Sequence, residues 1–301
     1  MKILLLGGKG MLGSECKRVL GGDHDVLAPE KKELDITSWD KVIERLQQMR
    51  PKVVLNCAGF TRVNTCEEHK AAFLCRKINV EGPRNLAQGS ARYGSKVIHI
   101  SSDYVFSGDK APPQPYFEDD PLDPLSEYGR AKMDSEVAIR ENASNYVIIR
   151  TGWLYGVGGK NFLKSLLTQA LSKRKGKKIR VPDDHFGSPT RSCRVAEQIG
   201  ELLGVDGKGT VHATAEGYCS LFEFARTVLD QLNLKAPLEP CKLKEYEKKA
   251  KRPSNCILEN RVLKKNGLSV MREWQEDLSD FLNTFGEELI KQAKESLKAR
   301  G

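Results

Sequence analysis

The sequence predicts an α/β protein: a doubly wound parallel sheet with a smaller, irregular α+β lobe. Three observations carry that expectation. Short apolar runs of strand length alternate with helix-like runs through the first half of the chain. The first of these runs ends in a glycine-rich turn that leads straight into a helix. The second half loses the alternation and mixes short strands with helices.

Ile3–Leu6 is apolar throughout and short enough to be one buried strand. Gly7, Gly8, Gly10 and Gly13 follow, with Gly7, Gly10 and Gly13 in GxxGxxG spacing, and Ser14–Leu20 starts a helix. Glycine allows tight backbone geometry and close approach of a pyrophosphate, and the helix N-terminus offers free N–H groups. A plain strand–helix turn of another α/β protein could use the same residues, but the flanking elements favour a dinucleotide. Asp25–Ala28 reads as a second strand, followed by Pro29, Glu30, Lys31 and Lys32. An acid at this strand end holds a ribose 2′-hydroxyl, and basic residues suit a 2′-phosphate. Both are present; the two lysines tilt the reading to NADPH, with NADH left open. Asp35 either contacts the adenine or caps the helix that starts near Ser38.

Trp39–Gln48 has a helical pattern, Pro51 stops it, and Lys52–Cys57 is a third strand. Ala58, Gly59, Phe60 and Thr61 lie at its C-terminal end, where doubly wound sheets bind ligands. Cys66–Ser90 reads as one helix-like run carrying Asn79, and Val97–Ile100 as a strand running into Ser101, Ser102, Asp103 and Tyr104. Residues 109–126 read as a loop. Ser126–Glu141 is a helix with Tyr128 and Lys132 on one face. A neighbouring ammonium favours phenolate and lowers a tyrosine pKa from about 10. Such a tyrosine passes a proton to a carbonyl oxygen. The pair is common by chance; the glycine turn and the strand ending at Ser102 give it weight. Beyond it come a strand over Tyr146–Arg150, a helix to Ser172, a strand at Ile179–Val181 and a helix over Arg194–Leu203. A strand at Gly209–Ala213, a helix at Leu221–Leu232 and helices near 260–266 and 275–297 complete the chain.

The 301 residues are 39% hydrophobic and 30% charged, enough for one large core or two unequal ones. The net charge is +9, but the basic residues are interspersed with acids. The dense cluster Lys173–Lys178 reads as a solvated turn, so no nucleic-acid site is expected. The eight cysteines include no CxxC pair and suggest neither a zinc site nor a disulfide framework; Cys16 and Cys57 look like small core residues. His99, in a strand-like run, reads as a core residue. No stretch reads as a secretion signal or a membrane span, which points to a reducing cytoplasm.

The motifs GGKGMLG, NCAGFTRVNTCE, INVEGPRNLA, SSDYVFSG, YGRAK, RTGWLYG, KNF, DDHFGSPT and RPSN occur in this order. Through them almost the whole chain resembles the extended short-chain dehydrogenases/reductases of Rossmann type, and within them the dTDP-4-dehydrorhamnose reductase family. SSDYVFSG and HFGSPT are its most specific carriers. The resemblance implies a dinucleotide-binding part over 1–152 and about 186–215, and a substrate-binding lobe over 153–185 and 216–301. It implies that Gly7, Gly10, Met11, Leu12 and Gly13 surround the cofactor pyrophosphate. Asp35 and Ile36 would lie by the adenine, and Ala58, Gly59 and Phe60 by the adenosine and ribose. Tyr128 would donate the proton, Lys132 would hold the nicotinamide ribose, and Ser102 would bond the sugar carbonyl and tune Tyr128. Asp103 would bond the sugar, and Trp153 would pack on it or belong to the core. The implied reaction is NAD(P)H-dependent reduction at C4 of dTDP-4-dehydro-6-deoxy-L-mannose. Some members form homodimers with Mg²⁺ at the interface, for which no ligand set stands out here. Three positions depart from the family pattern: Asn64 for Asp, Gly152 for Ser and His185 for Gln. Two other readings stay open: another nucleotide-sugar epimerase or reductase, and a non-catalytic, cofactor-binding regulatory subunit.

Overall fold

A computed structural model of the chain describes residues 1–172, 178–246 and 249–299. Strand β1 (Lys2–Leu6) buries four consecutive apolar side chains. A run buried on both faces is what a parallel sheet flanked by helices requires. β1 pairs on one side with β2 (Asp25–Leu27) and on the other with β3 (Val53–Asn56). β4 (Lys96–Ser102), β5 (Tyr146–Thr151) and the edge strand Lys208–His212 extend the sheet beyond β3, all in parallel. β2 is added on one side of β1 and β3 with the later strands on the other, so the order of connection switches between β1 and β3. That switch point opens a crevice at the C-terminal strand ends. The doubly wound sheet expected from the sequence is the observed one.

The helices of the first half are α1 (Met11–Leu20), α2 (Trp39–Met49), α3 (Val63–Cys66), α4 (His69–Arg76), α5 (Gly82–Tyr93) and α6 (Glu127–Asn142). Two differ from expectation. α1 begins at Met11 rather than Ser14, because Gly10 is itself the extended N-cap residue. The run expected as a single helix over 66–90 is broken after the short α3 and distorted by a π turn at Lys77–Glu81 between α4 and α5. Such turns insert a residue into the helical ladder. Here Asn79 lies within it, buried.

Below the switch point, Ile3, Leu5, Leu12, Cys16, Val195 and Ile199 form one core between the sheet and α1 with the helix Ser192–Leu202. A second core gathers Tyr155, Leu163, Phe224, Trp274 and Phe281. The buried Asp277 joins the two regions, accepting from Arg194 at 3.0 Å. Asn255–Cys256 and Cys219–Ser220 flank Phe186–Gly187 in a small sheet. The basic cluster of the sequence lies outside the described residues except for Lys178, which pairs with Glu239 at 3.4 Å. No helix among the described residues is long and apolar enough to cross a membrane.

Candidate active site

The glycine turn shapes the β1 side of the crevice. Gly7 has φ +78°, and a β-carbon there would lie 2.7 Å from the backbone of Cys57 and Ala58. Glycine therefore lets the first turn sit against the end of β3. A β-carbon on Gly13 would lie 2.1 Å from the Gly7 carbonyl oxygen, so only glycine brings α1 this close. Gly10, exposed, caps α1 without a side-chain bond, and no acid occupies the first turn. Met11 begins the helix and Leu12 turns into the core. The N-terminal N–H groups of α1 are thus left for an anion, and the cradle fits a dinucleotide pyrophosphate. At the end of β2, Lys9 and Lys32 both pair with Glu30.

Asp35 sits between β2 and α2. Burial works against its charge, but bonds from the Thr37 N–H at 3.0 Å and the Thr37 hydroxyl at 2.9 Å outweigh that and hold the carboxyl below its usual range. Ile36 is buried in the core with Leu4 and Leu6, its side chain against Gly82. The loop Ala58–Phe60 is held from two directions. Asn56 Oδ1 accepts from the Ala58 N–H at 3.1 Å. Asn79 accepts from the Phe60 N–H at 2.8 Å and donates to its carbonyl at 3.0 Å. Asn79 was visible in the sequence, but its role depends on the π turn. His99 is a core residue as expected, between Asn56 at 3.1 Å and Ser135 at 2.9 Å.

Ser102, Tyr128 and Lys132 come together at the C-terminal end of β4. Ser126 starts α6 by accepting from the Gly129 N–H, and Gly129 lets α6 close on the Tyr104 carbonyl, where a β-carbon would lie 2.3 Å away. Tyr104 meets the Tyr128 ring edge-on at 5.7 Å. Lys132 Nζ donates to the Ile100 carbonyl at 2.6 Å. One turn further on, buried Glu136 takes two bonds from Arg150, at 2.9 and 2.8 Å, and one from Ser101 at 2.6 Å. This buried ion pair, missed in the sequence, fixes α6 to the sheet beneath the site.

The electrostatics correct one expectation. Lys132 does not bring the Tyr128 phenol down. Burial pushes it well above its ordinary value, opposed by a bond with the Ser102 hydroxyl and reinforced by the Asp103 carboxylate. Burial lowers Lys132 to about 8, with Glu136 opposing.

Beyond Ser102, Asp103 lies against Gly152, and Trp153 lies against His185. Ser102 donates to Asp103 Oδ1 at 2.7 Å, and Oδ2 is buried above Gly152 without a normal hydrogen-bond partner. Burial raises Asp103 to about 6, with the Ser102 bond and the neighbouring Cys256 thiol opposing. Trp153 has φ +50°, an outlier for a bulky residue. Its half-buried indole packs on Gly187 and tilts over the His185 ring at 4.9 Å. Burial, with Arg252, lowers His185 to about 4. Asn64 accepts from the Ala250 N–H at 3.3 Å. No group of three metal-ligating side chains occurs among the described residues.

The Asp103 value has a testable sign. Between pH of about 4 and 6 the unfolded carboxyl is ionised while the folded one keeps its proton. Its stabilising contribution is therefore full below that window and is lost as pH rises through about 6. Asp103→Asn is expected to raise unfolding free energy at neutral pH by about 1–3 kcal/mol and to flatten stability across that window. Urea unfolding at both pH limits checks this.

A family model described as the RmlD substrate binding domain matches residues 1–287. The chain is 36% identical over 283 residues to the spore coat polysaccharide biosynthesis protein SpsK of Bacillus subtilis (strain 168), covering 93% of this chain and 96% of the relative. The crystal structure of a dTDP-4-dehydrorhamnose reductase from Clostridium acetobutylicum ATCC 824 is similar with a TM-score of 0.89 at 33% identity, over 95% of this chain and 100% of that one. That of Bacillus anthracis str. Ames, in complex with NADP, gives 0.88 at 34%, over 94% and 99%. By sequence and fold, the chain belongs to the dTDP-4-dehydrorhamnose reductase family of oxidoreductases.

Proposed function

We propose that the chain reduces the C4 ketone of dTDP-4-dehydro-6-deoxy-L-mannose to give dTDP-L-rhamnose, with NADPH as reductant, in the cytoplasm. The observation that carries this is the convergence of Ser102, Tyr128 and Lys132 at the strand end beside the switch-point crevice. Residues 1–152 and about 186–215 would hold the dinucleotide, and 153–185 and 216–301 the sugar.

Gly7, Gly10, Met11, Leu12 and Gly13 would receive the pyrophosphate; Asp35 and Ile36 would flank the adenine, and Ala58, Gly59 and Phe60 the adenosine side. Hydride is the chemistry a reduced nicotinamide supplies when bound. Tyr128, kept protonated by burial, gives its phenolic proton to the oxygen on which negative charge develops. Ser102 orients that oxygen and steadies the phenolate left behind. The Lys132 ammonium would hold the nicotinamide ribose and favour the same charge. Because Lys132 is cationic only below about 8, kcat/KM is expected to fall as pH rises through that value. A profile that stays level up to the ordinary lysine range, about 10.4, contradicts this assignment.

The test is oxidation of NADPH and of NADH with that dTDP-ketosugar, with the product identified by NMR. A folded protein that binds NADPH but turns nothing over overturns the reductase reading. A second reading keeps the chemistry and changes the sugar. Gly152 and His185, both departures from the family pattern, lie against Asp103 and Trp153. Competition between dTDP-4-ketosugars decides between the two.

A further inference from the structure

Two buried thiols beside the site have no part in the chemistry above. Cys66 closes α3 and Cys75 lies in the last turn of α4. Both are buried, and their sulfurs are 2.7 Å apart, not far beyond the disulfide bond length of about 2.05 Å. The Cys66 thiol donates to the Cys75 sulfur, which also accepts from Asn79 Nδ2 at 3.4 Å. The Cys66 bond holds the Cys75 thiol below its ordinary range against burial, with Asn79 and Lys132 helping. Its own bond to Cys75, and burial, push Cys66 up. The bond from Asn79 stabilises a thiolate on the Cys75 sulfur, which marks Cys75 as the nucleophile and Cys66 as the resolving thiol.

The pair touches the site on two sides. Asn79 grips the Phe60 backbone through both its N–H and its carbonyl. Phe60 and Tyr128 pack on the cluster that Cys66 and Cys75 form with Val80 and Ala131.

We infer that Cys66 and Cys75 are an oxidisable dithiol whose disulfide form weakens dinucleotide binding through Asn79 and the Phe60 loop; the binding arm rests on the function proposed above. With hydrogen peroxide as oxidant, the Cys75 thiolate attacks one oxygen and the O–O bond breaks. The departing hydroxide takes a proton and leaves as water. The Cys66 sulfur then attacks the Cys75 sulfenic acid, the S–S bond forms and a second water leaves. Two electrons pass from the two sulfurs to one peroxide. The new bond draws the Cys75 sulfur from Asn79, and the hold on Phe60 loosens.

The test treats the full chain with hydrogen peroxide, maps disulfides by mass spectrometry and titrates NADPH by fluorescence. The expected result is loss of two hydrogens, a Cys66–Cys75 bond, and an NADPH Kd raised about tenfold. By reciprocity, saturating NADPH shifts the midpoint potential of the pair by about 30 mV. Cys66→Ala, checked by thermal unfolding, leaves the Cys75 contact with Asn79 in place, keeps NADPH affinity and forms no disulfide under peroxide. A dithiol that survives excess peroxide overturns the proposal, as does a bond between Cys16 and Cys57, which also face each other. A Cys66–Cys75 bond with unchanged NADPH affinity overturns the coupling. If the reduced protein binds no NADPH, the proposed function and the coupling fall together, while the mapping still judges the disulfide.

Discussion

Tyr128→Phe is expected to lower kcat by about 10²–10⁴-fold while leaving NADPH affinity within a few-fold. The substitution removes one oxygen and little else. The ring keeps its edge-on contact with Tyr104 and its place on the Cys66–Cys75 cluster. What disappears is the proton for the developing oxyanion, and no neighbour is placed to replace it. Ser102, an alcohol, is far too weak an acid to take its place. Paired measurements of kcat and NADPH Kd separate this from a folding defect. A variant that keeps more than about a tenth of the wild-type kcat sinks the proton-donor assignment.

Glu136→Ala is expected to cost the fold about 3–5 kcal/mol, because it leaves the Arg150 guanidinium buried without its carboxylate. The wild-type carboxyl is held below its usual range: burial opposes its charge, and the Arg150 bonds outweigh burial. Its contribution is present above the unfolded carboxyl pKa, about 4.3, and is lost as pH falls through the lower folded value. Denaturant unfolding at neutral and acid pH therefore gives a large difference that shrinks on acidification. A loss below about 1 kcal/mol at neutral pH, as for a surface pair, contradicts the account. Since Glu136 lies one turn beyond Lys132 on α6, a variant that still folds would also misplace Lys132 and Tyr128.

The parts that the sequence made legible are those set by neighbours in the chain. The apolar run into the Gly7–Gly13 turn is local, and so is the four-residue spacing of Tyr128 and Lys132. The doubly wound parallel sheet followed from the alternation of strands with helices. What stayed hidden depends on partners far apart in sequence. Asn79 meets Phe60 from within a π turn that interrupts what reads as one helix. Glu136 looks like any solvated helix acid until Arg150 and Ser101 converge on it across the sheet. The Tyr128 expectation failed for a related reason: spacing shows a neighbouring ammonium, but the dominant influence is burial, which only the packed fold reveals.

Gly152 leaves the space into which the Asp103 carboxylate folds, since a β-carbon there would lie 2.3 Å from Oδ2. The two positions are therefore epistatic. Alanine or serine at 152 must evict the carboxylate, so a scan of single substitutions would score position 152 as intolerant. The same change made together with Asp103→Ser would cost far less than the sum of the two. A side chain at 152 therefore calls for a new seat for the Asp103 carboxylate, so the two positions have to change together.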